Sequence, residues 1–445
     1  MDILSVLTSA GSTAWTLLFF VIGIAIIVTV HEYGHYIVGR WSGIHAEVFS
    51  LGFGPVLYSR IDKRGTRWQI AAFPFGGYVK FLGDSNAASA EDRTTMASLS
   101  PQERRHSMPG APLWARAATV AAGPVFNIVL TIAVFVGLIL LTGVPTERVV
   151  VGKANPVPFL GQGLQVGDQI LALDGIATPD LKTYAKVAAK LPPSAEVTYH
   201  LQRDSHEIDL VGPHPFLALV GGVQPKSAAI NAGIKAGDVI LAADGVAVTA
   251  FSQMPPLVEA AGGRPITLKI WRGGEVFDLS LSANRRDLPK ADGSFETRWL
   301  IGLSAGNLFE PEMRWASPWE AMKLSVENTW FLAKTSLSGL WHVVIGAISS
   351  CAISGPIGMA EVMGDAARIG PQAFLQMLAA LSLGIGLLNL FPIPVLDGGH
   401  LVMYAYEAVM RRKPSEKFLG YVMALGLAVI LSFMAFALTN DVLCN

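Results

Sequence analysis

His31-Glu32-Tyr33-Gly34-His35 brings two imidazoles and a carboxylate together within five residues. On a helix, His31 and His35 stand at i and i+4, on one face and about one turn apart. Two neutral imidazoles at that spacing suit a tetrahedral zinc ion. The carboxylate of Glu32, between them, suits proton exchange with a water that such a metal activates. The five residues follow directly on an apolar run from Trp15 to Val30. An acidic group at the centre of such a segment costs on the order of 2.5–3.5 kcal/mol, so an ionisable cluster there marks a functional site by default. The motif therefore reads as metal-dependent peptide hydrolysis at or within a bilayer.

The elements that would position these residues are membrane spans. Of the 445 residues, 51% are hydrophobic and only 15% are charged, and the mean hydropathy is +0.45. That is too apolar for an ordinary soluble protein. A net charge of −1 gives no reason to expect a nucleic-acid partner. Four apolar runs, near 15–38, 115–143, 373–395 and 418–438, are each close to or above the roughly 20 residues a span needs. The first run lacks a basic n-region and a small-residue cleavage site, and is read as a retained helix rather than a signal peptide. Basic residues set the orientation. Arg60, Lys63, Arg64, Arg67, Lys80, Arg104 and Arg105 follow the first span, and Arg411, Arg412, Lys413 and Lys417 follow the third. Both loops are expected in the cytoplasm, with both termini and the large insert near 144–315 outside.

Two histidines leave zinc one protein ligand short. The best candidate is Asp397, in Asn389-Leu390-Phe391-Pro392-Ile393-Pro394-Val395-Leu396-Asp397-Gly398-Gly399-His400. By the orientation above it lies at the cytoplasmic end of the third span, on the same side as His31 and His35. Pro392 and Pro394 break a helix and free carbonyls, which a membrane tolerates where the chain lines a cavity. Gly398 and Gly399 permit close backbone approach. Asn389 reads either as a group that holds substrate or an oxyanion, or as one that satisfies the broken helix. His400 reads as a second layer of the site or as structural.

The insert repeats itself. Gly163-Leu164-Gln165-Val166-Gly167-Asp168-Gln169-Ile170-Leu171-Ala172-Leu173-Asp174-Gly175 returns as Gly233-Ile234-Lys235-Ala236-Gly237-Asp238-Val239-Ile240-Leu241-Ala242-Ala243-Asp244-Gly245. Gly-Asp turn, short apolar strand and Asp-Gly turn are tight β punctuation. The pattern resembles PDZ domains of the bacterial protease type. It implies either grooves that take peptide C-termini by β-addition or spacers that restrict access, with Asn155–Phe159 an atypical start to the first copy. Glu47–Ser59 and Trp68–Phe81 read as strand pairs of a hairpin at the membrane, and 85–110 as a polar flexible stretch. Residues 317–345 read as an amphipathic interfacial helix, and Gly355-Pro356-Ile357-Gly358 as a hinge, re-entrant turn or ordinary loop. Cys351 and Cys444 are expected to be free thiols.

With these motifs together, the chain resembles the site-2 protease family of intramembrane zinc metalloproteases over nearly its whole length. H-E-x-x-H alone would not be specific; its combination with the tandem repeat and N-x-x-P-x-P-x-L-D-G-G-H is. The resemblance implies a polytopic α-helical membrane protein with four transmembrane helices, a cytoplasmic membrane-associated β-hairpin region and two inserted periplasmic PDZ domains. Its expected divisions are 1–40 first span, 41–114 cytoplasmic loop, 115–143 second span, 144–215 and 216–290 PDZ domains, 291–371 periplasmic linker, 372–400 third span, 401–417 cytoplasmic loop and 418–445 fourth span and tail. It implies Zn2+ held by His31, His35 and Asp397, Glu32 as catalytic base, and Asn389, Pro392 and Pro394 as substrate-positioning residues. The implied activity is regulated intramembrane proteolysis in a bacterial inner membrane. The substrates would be single-pass proteins already trimmed outside, such as anti-sigma factors of a sigma-E stress response, and remnant signal peptides. Two rival readings are a catalytically inactive PDZ membrane scaffold and a metal or metabolite transporter.

Overall fold

A computed structural model describes residues 3–84, 93–158, 163–289, 295–349, 351 and 353–443. The chain divides into two compact units. One comprises 1–137, 322–340 and 353–445, the other 138–321 and 341–352.

The first unit opens with a long helix, α1 (Ile3–Trp41), followed by a hairpin of β1 (Ala46–Ile61) and β2 (Arg67–Phe81) and a second long helix, α2 (Leu113–Thr142). It closes with α3 (Pro356–Ile369), α4 (Pro371–Asn389), α5 (Asp397–Met410) and α6 (Glu416–Leu443). Four helical stretches are long and apolar enough to cross a membrane: Thr13–Trp41, Leu113–Thr142, Pro371–Asn389 and Lys417–Leu443. Their polar groups turn inward. Thr131 Oγ1 lies 2.9 Å from Ala379 O and Ser382 Oγ donates to Asn127 O at 2.9 Å, joining α2 to α4. Asp441 of α6 accepts the backbone N–H groups of Gly355 and Ile357, satisfying the first turn of α3. A bidentate Arg116–Glu407 pair ties α2 to α5 at 2.7 and 3.0 Å, with the guanidinium over the Tyr404 ring.

The hairpin doubles back on itself. Phe49 of β1 stands opposite Val79 on one side and Trp68 on the other, so the first half of β1 is held between the two ends of β2. Phe49, Val79 and Phe81 pack with Tyr36 of α1 and Ala115 of α2 in one buried cluster. The second half of β1 is exposed, including Val56, Leu57 and Tyr58.

In the other unit each repeat folds into a four-stranded antiparallel sheet and a helix. The first has Gln169–Leu173, Ile176–Ala177, Val197–Arg203 and His206–Gly212, with helix Leu181–Ala188. The second has Val239–Ala243, Val246–Ala247, Pro265–Arg272 and Glu275–Ser282, with helix Met254–Ala261. The repeated Asp residues explain the repeated spelling. Asp168 accepts from Gln165 N and takes a bidentate Arg203; Asp238 accepts from Lys235 N and takes a bidentate Arg272. Asp174 and Asp244 accept the backbone N–H groups of Thr198 and Thr267.

Several expectations need correction. The segment read as a linker from 291 carries a strap of short strands that belongs to the folded repeats. Leu303 pairs with Val223 in the second, and Phe309 pairs with Ala154 and is buried in the core of the first. Of the readings for Gly355-Pro356-Ile357-Gly358 (hinge, re-entrant turn or ordinary loop), the ordinary loop gives way to the first turn of α3, which starts at Pro356 with its N–H groups held by Asp441. The span expected at 372–400 ends at Asn389, and Asp397 opens a separate helix that runs through most of the loop expected at 401–417. Two short helices, Arg93–Ser98 and Pro101–Arg105, form where a flexible stretch was expected, the latter with a capping box from Ser100 and Glu103. Residues 85–92 of that stretch, and Phe159, lie outside the described residues. Cys351 is disulfide-bonded, not free; Cys444 lies outside the described residues.

Candidate metal centre

α1 stays helical through the His-Glu-x-x-His stretch, so His31 and His35 share one face. Their Nε2 atoms are 3.2 Å apart. Asp397, at the start of α5, brings Oδ2 to 3.2 Å from His31 Nε2 and 3.6 Å from His35 Nε2. One ligand atom from each of the three lies within 4.8 Å of the others. The three side chains are only 11–17% exposed. Asp397 Oδ2 is buried and has no aligned hydrogen bond among the described residues, despite its closeness to both rings. An acceptor left over beside two ring nitrogens is what a cation would satisfy. Two imidazoles and one carboxylate are also the donor set of an open zinc site.

The sequence builds this corner by breaking helices. After Asn389 the chain turns through Phe391–Leu396 and restarts at Asp397. Gly398 lies against the carbonyl oxygens of Leu390 and Phe391, and Gly399 against the backbone of Ile393 and Pro394, closer than a Cβ would permit. On α2, Pro124 denies an N–H to the carbonyl of Val120 and opens that turn. The neighbouring Thr119 carbonyl accepts from His35 Nδ1 at 2.9 Å. With its proton on Nδ1, His35 keeps the Nε2 lone pair for a metal. Gly123 faces both imidazoles; a Cβ there would stand 2.8 Å from His31 Cε1 and closer to the His35 ring.

A cavity of about 230 Å3 opens on the cluster, lined among others by His31, Glu32, His35, Asn389 and Asp397. Gly77–Val79 of β2 form another wall, and a Cβ on Gly77 would be 3.4 Å from Glu32 Cγ. His400 and Tyr404, one turn apart on α5, line it too. Burial pulls the His400 imidazole below its ordinary range and pushes the Tyr404 hydroxyl up to about 12.

Of the residues expected at the site, His31, Glu32, His35, Asn389 and Asp397 meet at this one cavity. Pro392 and Pro394 lie outside its lining; Pro394 packs on Gly426 of α6. Thr119, Gly123 and Asn127 were missed. For Gly123 and Asn127 the signal was present, a Gly-Pro pair and a lone amide inside an apolar span, each costly in lipid without a purpose.

Comparison with known proteins gives the same chemistry. The model for peptidase family M50 matches residues 19–433. A protein of Agrobacterium fabrum named as a zinc metalloprotease is 34% identical over 442 residues, covering 98% of each chain. Another of that name from Rhizobium meliloti is 33% identical over 432 residues, covering 96% of each. The regulator of sigma-E protease RseP of Salmonella typhimurium is 32% identical over 461 residues, covering 97% of this chain and 99% of that one. A family match over nearly all of the chain, on a fold that gathers two histidines and an aspartate around one small cavity, leads to one conclusion: this chain belongs to peptidase family M50 and is a zinc metalloprotease.

Proposed function

We propose that this protease cuts single-pass membrane proteins within their membrane segments, with zinc held by His31, His35 and Asp397. The observation that carries the reading is the shared cavity, where Glu32 and three half-buried candidate ligands meet beside membrane-grade helices. Zinc, when bound, supplies a Lewis acid that polarises the scissile carbonyl and makes a water acidic enough to attack near neutral pH. Glu32, which lines the same cavity, would take a proton from the attacking water and return it to the leaving amine. Thr119 O holds the His35 ring in the tautomer that leaves Nε2 free.

A helical substrate hides its carbonyls in i to i−4 bonds, so it must be unwound before it is cut. Gly77–Phe81 supports this step, because it pairs with Ala46–Leu51 on one side while Gly77, Tyr78 and Val79 line the cavity. An extended segment laid along it would gain main-chain hydrogen bonds. Asn389, at the broken end of α4, also lines the cavity and would hold substrate backbone. Pro392 and Pro394 would act through the turn they enforce.

In the same reading the spans carry their basic loops into the cytoplasm, and the two β repeats are PDZ domains on the outer face of a bacterial inner membrane. The domains fall near 144–215 and 216–290, each completed by the strap. There they bind peptide ends or restrict entry to substrates already shortened. Anti-sigma factors and remnant signal peptides are the substrate class, in keeping with the relative named as a sigma-E regulator. Mass mapping of products from a single-pass substrate, full-length beside pre-trimmed, tests this. A cut inside the membrane segment of the trimmed form is expected. Cuts confined to soluble flanks would refute it.

A further inference from the structure

Asn127 of α2 is fully buried, and its side chain has one hydrogen-bond partner among the described residues, the imidazole of His31. Nδ2 lies 3.3 Å from His31 Nδ1, while Oδ1 is buried with no partner. A buried amide that served only to join α2 to α4 would bond a backbone or side chain of α4. The joining here is done by other atoms. The backbone carbonyl of Asn127 accepts from Ser382 Oγ at 2.9 Å, and Thr131 Oγ1 lies 3.0 Å from it. Thr131 and Ser382 are also fully buried, and a Cβ on Gly386 would stand 3.1 Å from Asn127 Cβ. Two helices thus clamp the amide beside an imidazole carried by a third.

His31 turns Nε2 toward His35 and Asp397, so Nε2 is its metal-facing nitrogen. An imidazole that gives its Nε2 lone pair to a metal carries its proton on Nδ1, and that N–H needs an acceptor. His35 has the Thr119 carbonyl. For His31, Asn127 is the one group in hydrogen-bond reach of Nδ1 among the described residues, and its unpartnered Oδ1 is an acceptor. A half-turn of the amide exchanges Nδ2 for Oδ1. The same side chain can therefore serve both tautomers, donating to a bare Nδ1 and accepting from Nδ1–H.

We propose that Asn127 is a positioning residue of the metal centre, whose Oδ1 accepts the His31 Nδ1–H and fixes that ring's tautomer and direction. The inference rests on the metal-centre reading above. Its test is zinc affinity of the full-length protein in detergent, by competition with a chelator, together with the visible spectrum of the Co2+ form. Asn127→Leu removes the acceptor at similar size, and Asn127→Asp keeps it. We expect zinc affinity to fall about 10–100-fold in Asn127→Leu with a shifted cobalt band, and to stay near wild type in Asn127→Asp. Unchanged affinity and spectrum in Asn127→Leu would overturn the role of Asn127 while leaving the metal centre intact. Absence of zinc from wild type would instead undo the metal-centre reading. If Asn127→Leu is not recovered folded, Asn127→Asp decides: zinc held supports the proposal, and zinc lost from the folded variant overturns it.

Discussion

Small residues matter around the metal centre as much as charged ones. Gly123 leaves the space in which two imidazoles turn toward Asp397. A methyl group there would press on both rings, 2.8 Å from His31 Cε1, inside any tolerable contact. Gly123→Ala should therefore fold but lose most bound zinc and with it cleavage, as read by metal content of the purified protein. A second residue is sensitive to pH. Asp84, in the turn after β2, is buried, and burial pushes its carboxyl up to about 7 against the lowering effect of the Phe81 N–H and Lys80. The folded protein thus holds a proton that the unfolded chain has already shed. The stability this contributes is fully present below about pH 4 and is lost as pH rises through 7. Asp84→Asn keeps an acceptor for Phe81 N and removes the titration. Its melting temperature should match wild type near pH 4.5 and exceed it at pH 8; an equal gap at both would contradict the assignment.

At the scale of elements, the strap across the two repeats carries a stability claim. Phe309 is 2% exposed and packs edge-on to Tyr184, with ring centroids 5.6 Å apart. Phe309→Ala should cost about 3–5 kcal/mol and open the first repeat to limited proteolysis before the second. Resistance equal to wild type would show that the strap is dispensable. The repeats themselves were legible because their Gly-Asp and Asp-Gly turns fall at fixed offsets, each backed by an Arg or a backbone N–H. The strap was not, because strands of two or three residues show no period. The hairpin strands were readable from their apolar, glycine-rich composition, although not their double pairing, which depends on a non-local register. The helix restart at Asp397 was hidden in an apolar run that pattern alone extends through Val395. His31, His35 and Asp397 could be read because ionisable groups at a membrane are conspicuous. Thr119 could not, since it contributes a backbone carbonyl that every residue has.

At the scale of the whole molecule, a chain that is 51% hydrophobic and nearly neutral uses its few buried charges and amides to hold each unit together. Arg116–Glu407, Ser382–Asn127 and the three ligand candidates all join helices of the unit that holds the cavity. Such a centre can be tested without knowing the natural substrate. The decisive measurement is cleavage of a pre-trimmed single-pass protein by purified enzyme, wild type beside Glu32→Gln, with zinc content determined on the same samples and a chelator as control. Wild type should carry zinc and cut, and chelation should stop it. Glu32→Gln should carry as much zinc and cut about 10²–10⁴-fold more slowly. A Glu32→Gln enzyme that keeps its zinc and its rate would contradict the assignment of Glu32 as the proton carrier, and with it the mechanism built on this cavity.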